Sequence, residues 1–154
     1  RAVCAALKRM AAELPVRIVL PLHPNRHLRR AAEEALAGTA HVELAEPLGH
    51  EAMVRLMIES WLILSDSGGL QEEAPALGRP LLVLRDVTER PEALATGNAE
   101  LVGTDPERIV AAVAGLLTDR ERYARMARPA FPFGDGRAAE RIVAAIEEWL
   151  EGRR

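Results

Sequence analysis

Three of the groups on this chain that suit chemistry rather than packing lie in one stretch, LSDSGGLQEEAPALGRPLLVLRDVTERPEA, residues 64–93. Ser67, Gly68 and Gly69 precede a helical pattern. Glycines let a ligand approach the backbone closely, and the N–H groups of a first helical turn point outward, so this turn suits phosphate or diphosphate. A plain strand-to-helix turn uses the same residues. The turn matches neither GxGxxG nor a Walker loop, which requires Gly-Lys-Ser/Thr. Glu72 and Glu73 follow on the helix. A carboxylate there can accept two hydrogen bonds from vicinal ribose hydroxyls, or it can simply complement the helix dipole. Spacing alone does not separate the two glutamates. Arg90 precedes Pro91 and, beside a phosphate turn, acts as a clamp; elsewhere it would be a surface arginine. The fourth group is His23 in PLHPN (21–25). It ends an apolar run, and Pro24 stiffens its loop, which favours a functional histidine over a structural one.

Alternating elements must position these groups. Val3, Leu7, Met10, Ala11 and Leu14 repeat at helical spacing until Pro15. VRIVLPL (16–22) reads as a buried strand. A helix over 28–37 ends at Gly38, a strand spans 41–46 and a helix 50–59. WLILSD (61–66) is a third strand, and Pro75 and Gly78 keep the helix after it short. PLLVLRD (80–86) is a fourth strand, PEALATG a short helix, and AELVG (99–103) a fifth strand. Asp105-Pro106 start a longer helix as N-cap and first position. Helices at 119–128 and 137–151 close the chain, joined by the irregular PAFPFGDG (129–136), which reads as a hinge. Five strand–helix alternations with short connections predict an α/β fold, a Rossmann-like doubly wound parallel sheet. Ligands bind such sheets outside the carboxyl ends of the strands, where the loops after the first, third and fourth strands carry the unusual residues.

Composition narrows the function classes. The formal net charge is −3, which gives no global basic field for nucleic acid or an anionic membrane. Of the 20 basic residues Lys8 is the only lysine, so a receiver domain, which needs a lysine on its last strand, is excluded. Cys4 is the single cysteine; it fits a reducing cytoplasm and leaves no disulfide framework or thiol metal site. No apolar run reaches the roughly 20 residues of a membrane span, and no signal peptide is visible. Arg1 already sits inside a helical pattern, so the chain reads as part of a longer one.

The residues above resemble a known family, the non-hydrolysing UDP-N-acetylglucosamine 2-epimerases, in their C-terminal domain. SDSGG, QEEAP and TERPEA in that order carry the likeness; LVGTDPERI (101–109), PFGDGRAAERI (132–142) and PLHPN (21–25) extend it. It covers about 15–150. The resemblance implies the C-terminal half of a glycosyltransferase-B-type two-domain fold, with residues 1–136 forming the UDP-binding domain. Residues 137–154 would be a closing helix that packs back toward an N-terminal domain. It implies interconversion of UDP-GlcNAc and UDP-ManNAc by elimination and re-addition of UDP, without metal or nicotinamide cofactor. The partners implied are a UDP-sugar, the N-terminal domain and, at full length, a second copy in a homodimer.

Residue by residue, the resemblance makes His23 catalytic, assisting departure of the diphosphate. Ser67, Gly68 and Gly69 bind phosphate, Glu73 rather than Glu72 holds the ribose, and Arg90 stabilises the diphosphate. Leu48 and Met53 read the uracil edge through backbone groups. The chain departs from the family pattern at Arg26, where a proline is frequent, and at His50 and Met53, where the uridine loop carries aromatic residues. Imidazole and thioether offer uracil less stacking area. The carboxylates that move the C2 proton come from the family's first domain, so this chain alone is expected to bind UDP without epimerising. Competing readings are the donor domain of another glycosyltransferase-B enzyme, a non-catalytic nucleotide-sugar module, and a related branch that releases UDP. The HPN loop and TERPEA disfavour the first of these.

Overall fold

A computed structural model of the chain describes residues 1–152; residues 153 and 154, the end of the expected closing segment, lie outside the described residues. The elements run α1 (Ala2–Glu13), β1 (Ile18–Pro21), α2 (Arg26–Leu36), β2 (Val42–Ala45), α3 (His50–Glu59), β3 (Ile63–Ser65) and α4 (Gly68–Ala76). They continue with β4 (Leu81–Val83), α5 (Pro91–Ala95), β5 (Ala99–Leu101), α6 (Pro106–Thr118), α7 (Arg120–Met126) and α8 (Ala138–Glu151). The alternation is the expected one, with strands shorter than the apolar runs that predicted them. Local chemistry sets several boundaries. Asp105 caps α6 by accepting from the Arg108 N–H with Pro106 behind it, and Asp119 caps α7 by accepting from the Arg122 N–H at 2.8 Å. Gly38, at φ 72°, follows the end of α2 in the left-handed conformation that glycine adopts most readily.

All strand pairing is parallel, and the hydrogen bonding divides into two ladders, β1-β2 and β3-β4-β5. This differs from the single continuous sheet expected, because side chains rather than ladder hydrogen bonds join the two parts. Ile18, Leu20, Val42 and Leu44 of the first ladder pack on the same apolar cluster as Leu64 and Leu82 of the second.

The central strand shows how the layers form. Leu81, Leu82 and Val83 are fully buried. Successive strand residues face opposite sides. Leu82 joins Leu7 and Met10 of α1 and Ile109, Val113 and Leu116 of α6. Leu81 and Val83 join Met57 of α3, Ala74 of α4 and Ala93 of α5 in the other cluster. Helices thus cover both faces, as a buried parallel sheet requires. Each fully buried leucine here contributes about 1.5–3 kcal/mol.

The register aligns the strand ends. Ser65 pairs with Val83 and Val83 with Leu101. Backbone bonds continue past them, from Leu84 N–H to the Ser65 carbonyl at 3.0 Å and from Gly103 N–H to the Arg85 carbonyl at 3.1 Å. The loops after β3, β4 and β5 therefore leave from one edge. In the other ladder Pro21 pairs with Ala45, and Leu22 N–H bonds the Ala45 carbonyl at 2.9 Å, so His23 and Leu48 leave from the matching end.

The segment expected to be a hinge starts fastened: Ala130 N–H donates to the Pro75 carbonyl at 2.9 Å. Beyond it α8 has no buried residue, and Ile142, Val143, Ile146 and Leu150 are each more than half exposed along one stripe. Among the described residues no helix is long and apolar enough to cross a membrane.

Candidate nucleotide site at the strand ends

The turn after β3 is built around Ser67. It is the N-cap of α4, and its own N–H is taken by the Ser65 hydroxyl at 3.0 Å. Gly68 and Gly69 are therefore the first two helical residues, one step later than a turn preceding the helix. Their N–H groups have no acceptor one turn back, because the helix starts with them. Neither glycine has a positive φ. A Cβ on Gly68 would meet nothing within 4 Å, and one on Gly69 would meet only the Ser67 hydroxyl at 3.8 Å. Backbone strain and internal packing thus give no reason for glycine at either position. A side chain at either position would stand in open space at the positive end of a nine-residue helix, whose first N–H groups are free donors.

The next two polar residues part company. Glu72 receives the Nε–H of Arg90, a pairing that goes beyond the dipole complementarity its place on the helix suggested. The hydrogen bond first, and the charge second, hold the Arg90 guanidinium proton still more firmly than usual. Arg90 also donates through Nη1 to the Glu89 carbonyl at 3.2 Å. Both members of the Glu72–Arg90 pair are more than a third exposed, so their mutual attraction is modest and Arg90 keeps donors for a further anion. The carboxylate of Glu73 has no hydrogen-bond or ion-pair partner among the described residues. Spacing could not choose between the two glutamates; in the structure Glu72 is paired with Arg90 and Glu73 is not.

Two residues missing from the sequence reading tie these groups together. Gln71, fully buried, donates through Nε2 to the Ser67 carbonyl at 3.2 Å. Its Oε1 accepts from the Thr88 hydroxyl, which in turn accepts the Arg90 N–H at 3.0 Å. The bond from the Arg90 N–H to the Thr88 hydroxyl was legible as a Ser/Thr turn two residues long. The two bonds of the Gln71 side chain were not, since nothing in QEE marks which polar residue the fold buries.

His23 lies at the end of the other ladder and is exposed. Its Nδ1 accepts the Asn25 N–H at 3.0 Å. That acceptor role leaves the ring proton on Nε2, which is the nitrogen able to donate to a ligand. Leu48 is half-buried in the loop after β2. Met53 is less available: its side chain packs on the second core cluster and its N–H donates to the Gly49 carbonyl at 3.0 Å. No direct hydrogen bond links His23, Leu48 or Met53 to the 67–90 group among the described residues. A cavity of about 600 Å³ lined by Thr96, Asn98, Arg122 and Met126 sits at the opposite, N-terminal end of β5, away from these residues.

A family model described as UDP-N-acetylglucosamine 2-epimerase matches residues 1–147. The chain belongs to the UDP-N-acetylglucosamine 2-epimerase family. Within that family it is 45% identical over 148 residues to the UDP-N-acetylglucosamine 2-epimerase of Salmonella typhimurium, covering 96% of this chain and 39% of that protein. It is 46% identical over 146 residues to the enzyme of Escherichia coli K12, again 39% of that protein. The chain therefore spans about two fifths of the length of these relatives. Among solved epimerases, that of Neisseria meningitidis bound to UDP-GlcNAc superposes with a TM-score of 0.90 at 40% identity, covering 96% of this chain and 40% of that one. A Staphylococcus aureus MnaA–UDP structure gives 0.89 at 38% identity, over 97% and 41%. The Rossmann-like, glycosyltransferase-B-type half expected from the sequence is thus the fold observed.

Proposed function

We propose that this chain is the UDP-binding half of a UDP-GlcNAc 2-epimerase and that residues 65–90 cradle the UDP. The observation that carries the reading is the pair of unpartnered Gly68 and Gly69 N–H groups at the start of α4, joined to Arg90 by Glu72, with Glu73 unpaired on the next turn. That the Neisseria relative holds UDP-GlcNAc and the Staphylococcus relative UDP supports it.

In the reaction the C1–O bond to UDP breaks as the C2 proton is lost. UDP then re-adds to C1, and the proton returns to C2 on the opposite face. The group leaving C1 carries negative charge, and it must stay in place to re-add. Gly68 and Gly69 N–H groups, the Ser67 hydroxyl and Arg90 supply fixed donors for that charge, and fixed donors need no reorganisation when the bond breaks. Glu73 accepts from the ribose hydroxyls. His23 donates from Nε2 to the departing oxygen. Leu48, with Met53 behind it, offers backbone groups to uracil. The base and acid at C2 belong, on this reading, to the remainder of the full-length protein, since general catalysis at carbon requires a group within hydrogen-bond reach.

The same remainder is the proposed partner of α8. Its stripe of Ile142, Ile146 and Leu150 has the spacing of a face made for burial, and the closing segment 137–154 would cross onto the N-terminal domain. The reading also includes a homodimer at full length, a cytoplasmic setting consistent with the single cysteine, and no metal or nicotinamide. Titration of the chain with UDP tests the site. Glu73→Ala and Arg90→Ala are each expected to weaken binding by about tenfold or more, roughly 1.4 kcal/mol. Unchanged affinity in both folded variants would overturn the assignment.

A further inference from the structure

We infer that Gln71 is a positioning residue: through Thr88 it sets Arg90 at a fixed place relative to the phosphate-binding turn. The inference rests on the nucleotide reading above and adds to it a residue that would not touch the nucleotide.

Gln71 is fully buried, beside Ala74 and Pro75 on the covered face of α4. An apolar side chain of similar length would fit that face without any need for partners. A buried amide is tolerated only when both its ends are bonded. Here both ends are, and they reach different loops. Nε2 bonds the Ser67 carbonyl, which also accepts the Gln71 backbone N–H at 3.3 Å, so two donors hold the phosphate turn at its root. Oε1 takes the Thr88 hydroxyl proton, which leaves the lone pairs of that oxygen directed at the Arg90 N–H. The path from Ser67 to the Arg90 backbone is continuous. The next residue of α4, Glu72, holds the Arg90 side chain. Consecutive residues of one helix thus grip both the main chain and the guanidinium of a residue on another loop. A clamp of this kind matters for an anion shared between turn and arginine, because a displacement of about 1 Å costs a large part of the binding. Fully satisfied buried networks specify such positions more sharply than apolar contact does.

UDP titration of the chain reads the effect in a double-mutant cycle. Thr88→Val keeps the shape and removes the hydroxyl; UDP affinity is expected to fall about tenfold. In an Arg90→Ala background the same change should add less than about twofold, since its effect runs through Arg90. Thr88→Ser, which keeps the hydroxyl, should restore parent affinity, a rescue that a merely structural role would not predict. If Thr88→Val does not fold, Thr88→Ala is read in the same cycle. In the unliganded protein the Arg90 amide should exchange faster once the hydroxyl is gone. Parent affinity in a folded Thr88→Val, or an equal loss in both backgrounds, overturns the positioning role. If Glu73→Ala and Arg90→Ala also leave binding unchanged, the nucleotide reading falls with it. If those two weaken binding and Thr88→Val does not, the positioning role alone falls.

Discussion

At the scale of single residues the most informative position is Gly68. Glycines in folds are ordinarily explained by a left-handed φ or by a neighbour too close for a Cβ. Gly68 has neither explanation. Alanine favours helix over glycine by about 0.5–1 kcal/mol. Gly68→Ala should therefore leave thermal stability unchanged or raised, while UDP binding weakens at least about tenfold because the methyl occupies the ligand's approach. Calorimetric titration and a melting curve on the same variant check both halves, and unaltered UDP affinity would return the glycine to a plain turn. The two glutamates make a complementary case. Adjacent and chemically identical, they differ only in that Arg90 reaches Glu72.

Among the elements, α8 is the one whose placement the chain does least to secure. Asp135 anchors its start. It accepts from Nη1 and Nη2 of Arg141 at 2.8 and 2.7 Å and from the Arg137 N–H at 3.1 Å. These bonds, the Arg141 fork first, hold the Asp135 carboxyl below an aspartate's ordinary 3.8. A lowered folded-state value means that the contribution is present above the unfolded value and is lost as pH falls through the folded one. Protection of the Arg137 and Arg141 amides, measured against their intrinsic exchange rate at each pH, should therefore fall on acidification below 3.8. Asp135→Asn should show faster exchange already at neutral pH, because the amide cannot match the paired charge. Glu140, bonded to Arg137 at 2.9 Å, faces the same segment and remains in the variant as an internal comparison. Equal exchange in parent and variant at neutral pH would remove Asp135 from this role.

For the whole molecule, the chain carries the proposed UDP-binding edge but spans only 39% of the Salmonella relative. Folding and UDP binding are expected from it alone, because the sheet is covered on both faces by its own helices. Turnover is not expected. Incubated with UDP-GlcNAc and followed by NMR, the pure chain should form no UDP-ManNAc; measurable conversion would mean that an acid–base pair lies within these residues after all.

Periodicity and punctuation were enough to read the α/β alternation, the helix starts at Asp105 and Asp119, and the strand-end location of His23, Ser67 and Arg90. These features are local: they follow from residue spacing, capping and the preferences of proline and glycine. Motif order, and not spacing, is what singled out Glu73 for the proposed site. Other features depended on contacts between residues far apart in the chain. The capture of Arg90 by Glu72 and the burial of Gln71 between two loops arise when α4 packs against β4, and the division of the pairing into two ladders reflects how the two strand groups meet through side chains. A buried glutamine and a solvated one look the same in sequence, because burial is set by which face of the helix the rest of the fold covers.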